Sequence, residues 1–280
     1  MKAPMHTLLR PRLALLAAGA LLSLSAHAHR PWLLPSATVA DGPAPVVSID
    51  AAISEDLFEF DSFPLMLDTL RVTAPDGGIV AVDSRVEAKR RVSFDVKLPQ
   101  KGTYRVAGVT DTAMASWKVG GETRRWRGAP AAMAKEVPAD APDLQVMRQL
   151  ARAETFVTNE TPGPVAAAIA GEGLELLPLT SPTDLSVGDT TRFRMLLDGK
   201  PYGGADVTVI RGGNRYRYKM GELALKTDAA GEFSVAWPEA GRYWLGASHG
   251  GRGAGAAPAG PGAAPARRES YSATFEVLPK

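Results

Sequence analysis

The sequence predicts an all-β protein of two tandem β-sandwich domains, with a short helix in the connector between them. Three observations lead there. Glycine (28) and proline (22) make up about 18% of the 280 residues, above the roughly 12% of average usage, which suits many short strands divided by turns. Apolar and polar residues alternate along most segments, the period of a half-buried strand. A strand–turn–strand pattern also occurs twice at a fixed offset. Apolar residues are 45% of the chain, enough for a core in one large or two smaller domains. Cysteine is absent, which excludes disulfides, Cys-ligated zinc, iron–sulfur clusters and thiol catalysis.

The first element stands outside this pattern. Lys2, Arg10 and Arg12 precede an apolar run from Leu13 to Leu24, and Ala26-His27-Ala28 follows as a small-x-small site. The run is too short to span a bilayer comfortably, so residues 1–28 read as a cleavable secretory signal peptide and the product as periplasmic. No later segment is long and apolar enough for a membrane helix, so the mature chain is expected to carry no membrane anchor. Removing three basic and no acidic residues leaves 29 basic against 30 acidic groups, a balance that gives no electrostatic case for nucleic acid. Cleavage after Ala28 makes His29 the first residue.

Strands are expected at Val46–Ile53, Leu70–Ala74, Val92–Leu98, Thr191–Leu197, Ala205–Ile210, Phe233–Trp237 and Tyr271–Leu278. Asp76-Gly77-Gly78, Asp198-Gly199-Lys200-Pro201 and the segment from Asp228 to Gly231 supply turns, because glycine permits positive φ while Asp and Pro stabilise turn backbones. The repeat pairs Phe94, Val96, Pro99, Gly102 and Tyr104 with Phe233, Val235, Pro238, Gly241 and Tyr243, each 139 positions on. A half-buried strand ends at Pro, Gly allows the turn, and the returning strand opens with an inward Tyr. Five anchors in one register imply two sandwiches of related design, over 29–172 and 173–280.

An irregular insertion is expected over about 119–154. It carries Arg124, Arg125, Trp126 and Arg127, which with Trp117 just before it form a group that suits a sugar or an anionic partner, or else a solvated connector. Within it, Asp143 to Glu154 reads as a helix, because Leu144, Met147, Leu150 and Ala151 fall on one face after Pro142 and Asp143. Residues 162–170 read as a boundary loop. Residues 250–266, almost wholly Gly, Ala and Pro, read as a mobile loop between the last two strands.

Several of these segments resemble one family. They are His29-Arg30-Pro31-Trp32-Leu33-Leu34-Pro35 after the signal segment, and the stretch from Leu174 through Pro178 and Pro182 to Val187-Gly188-Asp189. Asp198-Gly199-Lys200-Pro201, Thr227-Asp228 with Gly231, and Gly241-Arg242-Tyr243-Trp244-Leu245 complete the set. The chain resembles the periplasmic domain-of-unknown-function family 4198 (DUF4198), whose members have been labelled nickel- or cobalt-uptake periplasmic components (NikM-like). The likeness covers most of the mature chain and is strongest over 174–248. It implies immunoglobulin-like and transthyretin-like sandwiches, the latter of the carboxypeptidase-regulatory type. It also implies transition-metal handling alongside an envelope transporter or outer-membrane receptor.

The candidate metal ligands are His29 and His249, the only histidines left once His6 and His27 depart with the signal segment. A terminal histidine offers its α-amine and its imidazole to one ion, and a second imidazole completes a three-nitrogen site suited to copper. Nickel or cobalt would want further ligands. Trp32 is placed to wall such a site or to anchor the core. Glu55, Asp56, Glu59 and Asp61 offer oxygen ligands or form a solvated acidic loop. No catalytic set is found: residues 250–255 are not a phosphate loop, no Gly-x-Ser-x-Gly elbow occurs, and nothing points to a serine for His249. The expected function is a periplasmic copper-, nickel- or cobalt-binding protein serving an envelope uptake system. The alternatives are a copper-dependent histidine-brace oxidase and a structural or receptor-accessory module without metal.

Overall fold

The computed structural model describes residues 29–166, 170–250 and 266–280. The expected signal segment and the expected Gly/Ala/Pro loop, except its end residues 250 and 266, lie outside the described residues. In chain order the strands begin with β1 (Arg30–Pro35), β2 (Val39–Ala40), β3 (Val46–Ser54), β4 (Phe63–Pro64), β5 (Thr69–Thr73), β6 (Ile79–Val80) and β7 (Val82–Glu87). They continue as β8 (Val92–Lys97), β9 (Gly102–Val119), β10 (Glu122–Gly128), β11 (Gln145–Asn159), β12 (Leu174–Pro178) and β13 (Thr190–Leu197). Then come β14 (Lys200–Pro201), β15 (Asp206–Arg211), β16 (Leu223–Lys226), β17 (Glu232–Ala236), β18 (Gly241–Gly250) and β19 (Ala266–Val277). The short helix α1 (Pro130–Glu136) lies in the connector.

The fold is all-β, a pair of sandwiches built on one shared sheet. That sheet has ten strands and runs β16-β15-β18-β19-β11-β9-β5-β6, with β10 added on β9 and β2 on β11. The halves join where β11 and β19 pair in parallel, from Met147 opposite Ala266 to Thr155 opposite Thr274. Side chains alternate across a strand, so neighbours on β11 serve different cores. Val157 faces the first core, with Tyr104, Val106, Phe94, Val96 and Ile49. Phe156 faces the second, with Phe193, Val235, Trp237, Tyr243 and Phe275. The five-stranded sheet β1-β3-β8-β7, with β4 beside β3, therefore covers one face of the shared sheet. The four-stranded sheet β12-β13-β14, with β17 beside β13, covers the opposite face.

The two halves are fastened in two ways. Trp32, Ala52 and Leu57 pack against Ile210, with Met220 and Trp244 around them, and the Trp244 indole donates to the Pro31 carbonyl at 2.9 Å. Deeper in, Arg105 of β9 turns toward the second core and donates to Glu154 (2.8 Å) and to the Leu176 carbonyl (3.0 Å). The Tyr271 hydroxyl donates to the same Glu154 oxygen at 2.8 Å. Burial pulls the Arg105 guanidinium down, but Glu154 and Tyr271 outweigh it and raise its pKa above the ordinary value. Burial, then Glu154, pushes the Tyr271 phenol well up.

The twin hairpins read from the sequence share a hydrogen bond at equivalent places, and the first adds a second, the Gln100 amide donating to the Tyr104 hydroxyl at 2.6 Å. Tyr104 donates to the Gln100 carbonyl and Tyr243 to the Glu239 carbonyl, both at 2.8 Å. Each tyrosine ties the returning strand to the corner four residues upstream, as tyrosine corners do. Gly102 (φ 119°) and Gly241 (φ 141°) supply the corner backbone.

The helix expected over Asp143 to Glu154 is corrected: Gln145–Asn159 is strand β11. Asp143 adopts φ 54°, a left-handed conformation that starts no helix. The segment then pairs on both sides, with β9 and with β19, so its helical spacing of apolar residues is overridden by a central position in the sheet. The helix that does form, α1, begins thirteen residues earlier, with Pro130 in its first turn.

Candidate functional site

His29 stands at the head of β1. The antiparallel register that sets Arg30 opposite Ser54 brings the next pair, His29 and Glu55, together. His29 Nε2 is 3.7 Å from Glu55 Oε1, with the two side chains 46% and 53% exposed. The Phe63 ring lies 5.6 Å from the imidazole. Glu55 opens the acidic segment, whose other carboxylates are spent inside the protein. Burial raises the Asp61 carboxyl, but the Asp56 amide, the Ser62 hydroxyl and the Glu55 amide outweigh it and hold the group below the ordinary value. Asp56 accepts from Arg215 and Asn214 at 3.0 Å each, and Glu59 is 3.7 Å from Arg215. Glu55 is left as the carboxylate beside His29. Trp32 is 1% exposed and donates to Ser54 Oγ at 2.7 Å, so it is a core anchor.

His249 occupies the far end of β18, opposite Glu269. Its Nδ1 is hydrogen-bonded to the Tyr202 hydroxyl at 2.8 Å, the rings meeting edge to face. Close by, Arg267 holds Asp198 through two 3.1 Å bonds and also contacts Glu269. The Arg267 hydrogen bonds, then the Gly173 amide, draw the Asp198 carboxyl down. Burial, partly offset by Arg267, pushes Glu269 up. Among the described residues the two imidazoles have no neighbour in common, and no cluster of three or more His, Asp or Glu side chains suited to a metal ion occurs.

The connector residues Arg125, Trp126 and Arg127 line an open cleft of about 850 Å³ together with Met114, Ser116, Met147, Ser248 and Arg268. Register explains the grouping. Arg127 lies opposite Met114, and Met114 opposite Met147. Arg125 lies opposite Ser116, two residues along. Gln149 lies opposite Arg268, which lies opposite Gly250. All of these fall on the face of the shared sheet that, nearer β5, is covered by the five-stranded sheet. The cover ends at Leu67, whose side chain rests on Gly108, and at Met66, whose carbonyl accepts from the Thr110 hydroxyl at 3.0 Å; beyond that point, among the described residues, the face is bare. Trp126 points to the other face, and its indole donates to Glu136 of α1 at 2.7 Å. Arg268 and Met114 escaped the sequence reading, and Met147 entered it only as part of the expected helix face. Period-two alternation would have put Met114 and Met147 on a face, but only the parallel β11–β19 pairing shows which face Arg268 shares.

The geometry thus defines an all-β, double-sandwich protein with two exposed polar sites on separate parts of the molecule. A family model for a domain of unknown function, DUF4198, matches residues 26–251, and the chain belongs to that family. Comparison with curated proteins finds no significant match. Among solved structures, trypsin-activated alpha-2-macroglobulin from Escherichia coli is 14% identical, with 88% of this chain and 16% of that one covered and a TM-score of 0.25. The D0-D1 domain of intimin is 11% identical over 87% of this chain and 97% of that one, with a TM-score of 0.20. The ICAM-5 D1-D4 ectodomain fragment is 12% identical over 89% and 51%, with a TM-score of 0.21. The chain spans about a sixth of the length of the E. coli macroglobulin.

Proposed function

We propose that this protein is an exported, non-enzymatic carrier that holds one transition-metal ion at His29 and captures or delivers it for an envelope uptake system. The observation that carries the reading is the meeting of His29 with Glu55, two features that stand apart in the sequence. Once the signal segment is removed, the His29 α-amine and Nδ1 form a chelate, while Nε2 faces the Glu55 carboxylate. Such a carboxylate fixes the ring's tautomer and orientation, as outer partners of metal-bound histidines do. An amine–imidazole chelate ranks copper(II) above nickel(II) and cobalt(II). His249 is not required in this arrangement, because the amine, the imidazole and Glu55 all lie at the head of β1. A histidine-brace oxidase needs that second imidazole at the same ion, and the neighbours of His29 (Glu55, Phe63) and His249 (Tyr202) differ, which weighs against it.

Calorimetry on chain beginning at His29 tests the reading. The expected result is one equivalent of copper(II) bound, lost in His29→Ala and on acetylation of the amino terminus, and retained in His249→Ala. Undiminished binding by His29→Ala would sink the proposal. Loss of binding in His249→Ala would replace it with a two-histidine site.

A further inference from the structure

We infer that the bare face of the shared sheet is a binding site for an elongated organic dianion, anionic at both ends and apolar between. The inference is independent of the metal reading, since it uses none of the same residues. Arg125 and Arg127 stand on β10, and Arg268 stands on β19. With β9 and β11 between them, the two rims are three strand spacings apart, roughly 14 Å at the backbone. Met114 and Met147 floor the gap. Methionine is adaptable and polarizable, a side chain suited to an apolar ligand body.

Charge complementarity decides the occupant. Among the described residues none of the Arg125, Arg127 and Arg268 side chains has a hydrogen-bond or ion-pair partner, whereas those of Arg105, Arg148 and Arg267, on β9, β11 and β19 of the same sheet, are all paired. Every one of the 30 carboxylate side chains of the sequence lies among the described residues. The chain therefore has no spare acid in its remaining segments with which to neutralise these arginines. Three guanidiniums drawn onto one face without a counter-charge repel one another, and a ligand carboxylate at each rim relieves that repulsion through forked, charge-assisted bonds. The cleft's volume of about 850 Å³ is that of a small-molecule pocket and not of a protein interface.

The probe is nonanedioate, titrated into the chain beginning at His29 and read by calorimetry. The expected result is saturable binding that weakens about tenfold in Arg268→Gln and in Arg127→Gln, the loss of one forked contact at one rim. Butanedioate, too short to touch both rims, and nonanoate, with one charged end, are each expected to bind at least about tenfold more weakly. Arg268→Lys, which keeps the charge and loses the fork, is expected to fall between wild type and Arg268→Gln. Circular dichroism melts of the variants should match wild type, because these arginines hold nothing in the fold. No binding of nonanedioate at millimolar concentration overturns the inference. So does equal binding by the Arg268→Gln variant, or equal binding of nonanoate.

Discussion

One face of the shared sheet is read in two different ways along the same strands. Toward β5 its residues are Tyr104, Val106, Ala153 and Val157, fully or almost fully buried beneath the five-stranded sheet. Past Gly108 the same strands, joined by β10, β18 and β19, present Met114, Ser116, Met147, Arg125, Arg127 and Arg268 to an open cleft. The alternation never breaks and the hydrogen-bond ladder is continuous. Only the side-chain chemistry changes, from what a protein layer covers to what water or a ligand covers. The difference teaches that a sandwich sheet longer than its cover becomes a binding surface without any new loop.

The largest effect should come from the fastened part. Arg105→Ala leaves Glu154, 1% exposed, with Arg152 at 3.8 Å as its remaining cation, and should lower unfolding free energy in urea by about 3 kcal/mol. Arg268→Gln, on the bare part, should change it by less than about 0.5 kcal/mol. A comparable cost at Arg268 would mean that the cleft residues are structural. The border itself is the next target. A Cβ at residue 108 meets Leu67 Cδ2, so Gly108→Val should cost about 1–3 kcal/mol by overpacking, with a matching fall in the midpoint of thermal unfolding.

Smaller effects sharpen the comparison. Tyr243→Phe removes one corner hydrogen bond and should cost about 1 kcal/mol in denaturant titrations, and Tyr104→Phe removes two and should cost about 2 kcal/mol. Equal costs would show that the Gln100 amide bond adds nothing at the first corner. Arg267 and Arg268 are adjacent on β19 but face opposite ways, one paired with Asp198 and the other unpaired. Asp198 has its pKa lowered by Arg267, so its contribution is present above the unfolded-state value of 3.8 and is lost as pH falls through the lower folded-state value. Asp198→Asn should therefore melt below wild type at neutral pH, and the gap should close in acid.

Much of this architecture was legible in the sequence. Alternation and turn clusters gave the strands, and the offset of the two Phe-to-Tyr hairpins announced two related sandwiches. The connector strand β11 was misread because Leu144, Met147 and Leu150 satisfy helical spacing equally well, and only long-range pairing on both edges selects a strand. The same non-local contact hid the cleft. Arg125, Trp126 and Arg127 stood out as a basic, aromatic group, yet nothing local ties them to Arg268, more than 140 residues on. His29 and Glu55 were each conspicuous alone, and it took the β1–β3 register to set them side by side. Tyr202, which occupies His249, had no signal, since a lone tyrosine after a turn reads as an ordinary strand residue.

The account turns on the bare half of the face being open in the free protein and closed by a dianion. Phenylglyoxal labelling of arginines, read by mass spectrometry with and without nonanedioate, addresses this directly. Arg125, Arg127 and Arg268 should react in the free chain and be protected at saturation, while Arg105, 3% exposed, should stay unlabelled throughout. Arginines in the cleft that are unreactive without ligand, or equally reactive with it, would contradict the account.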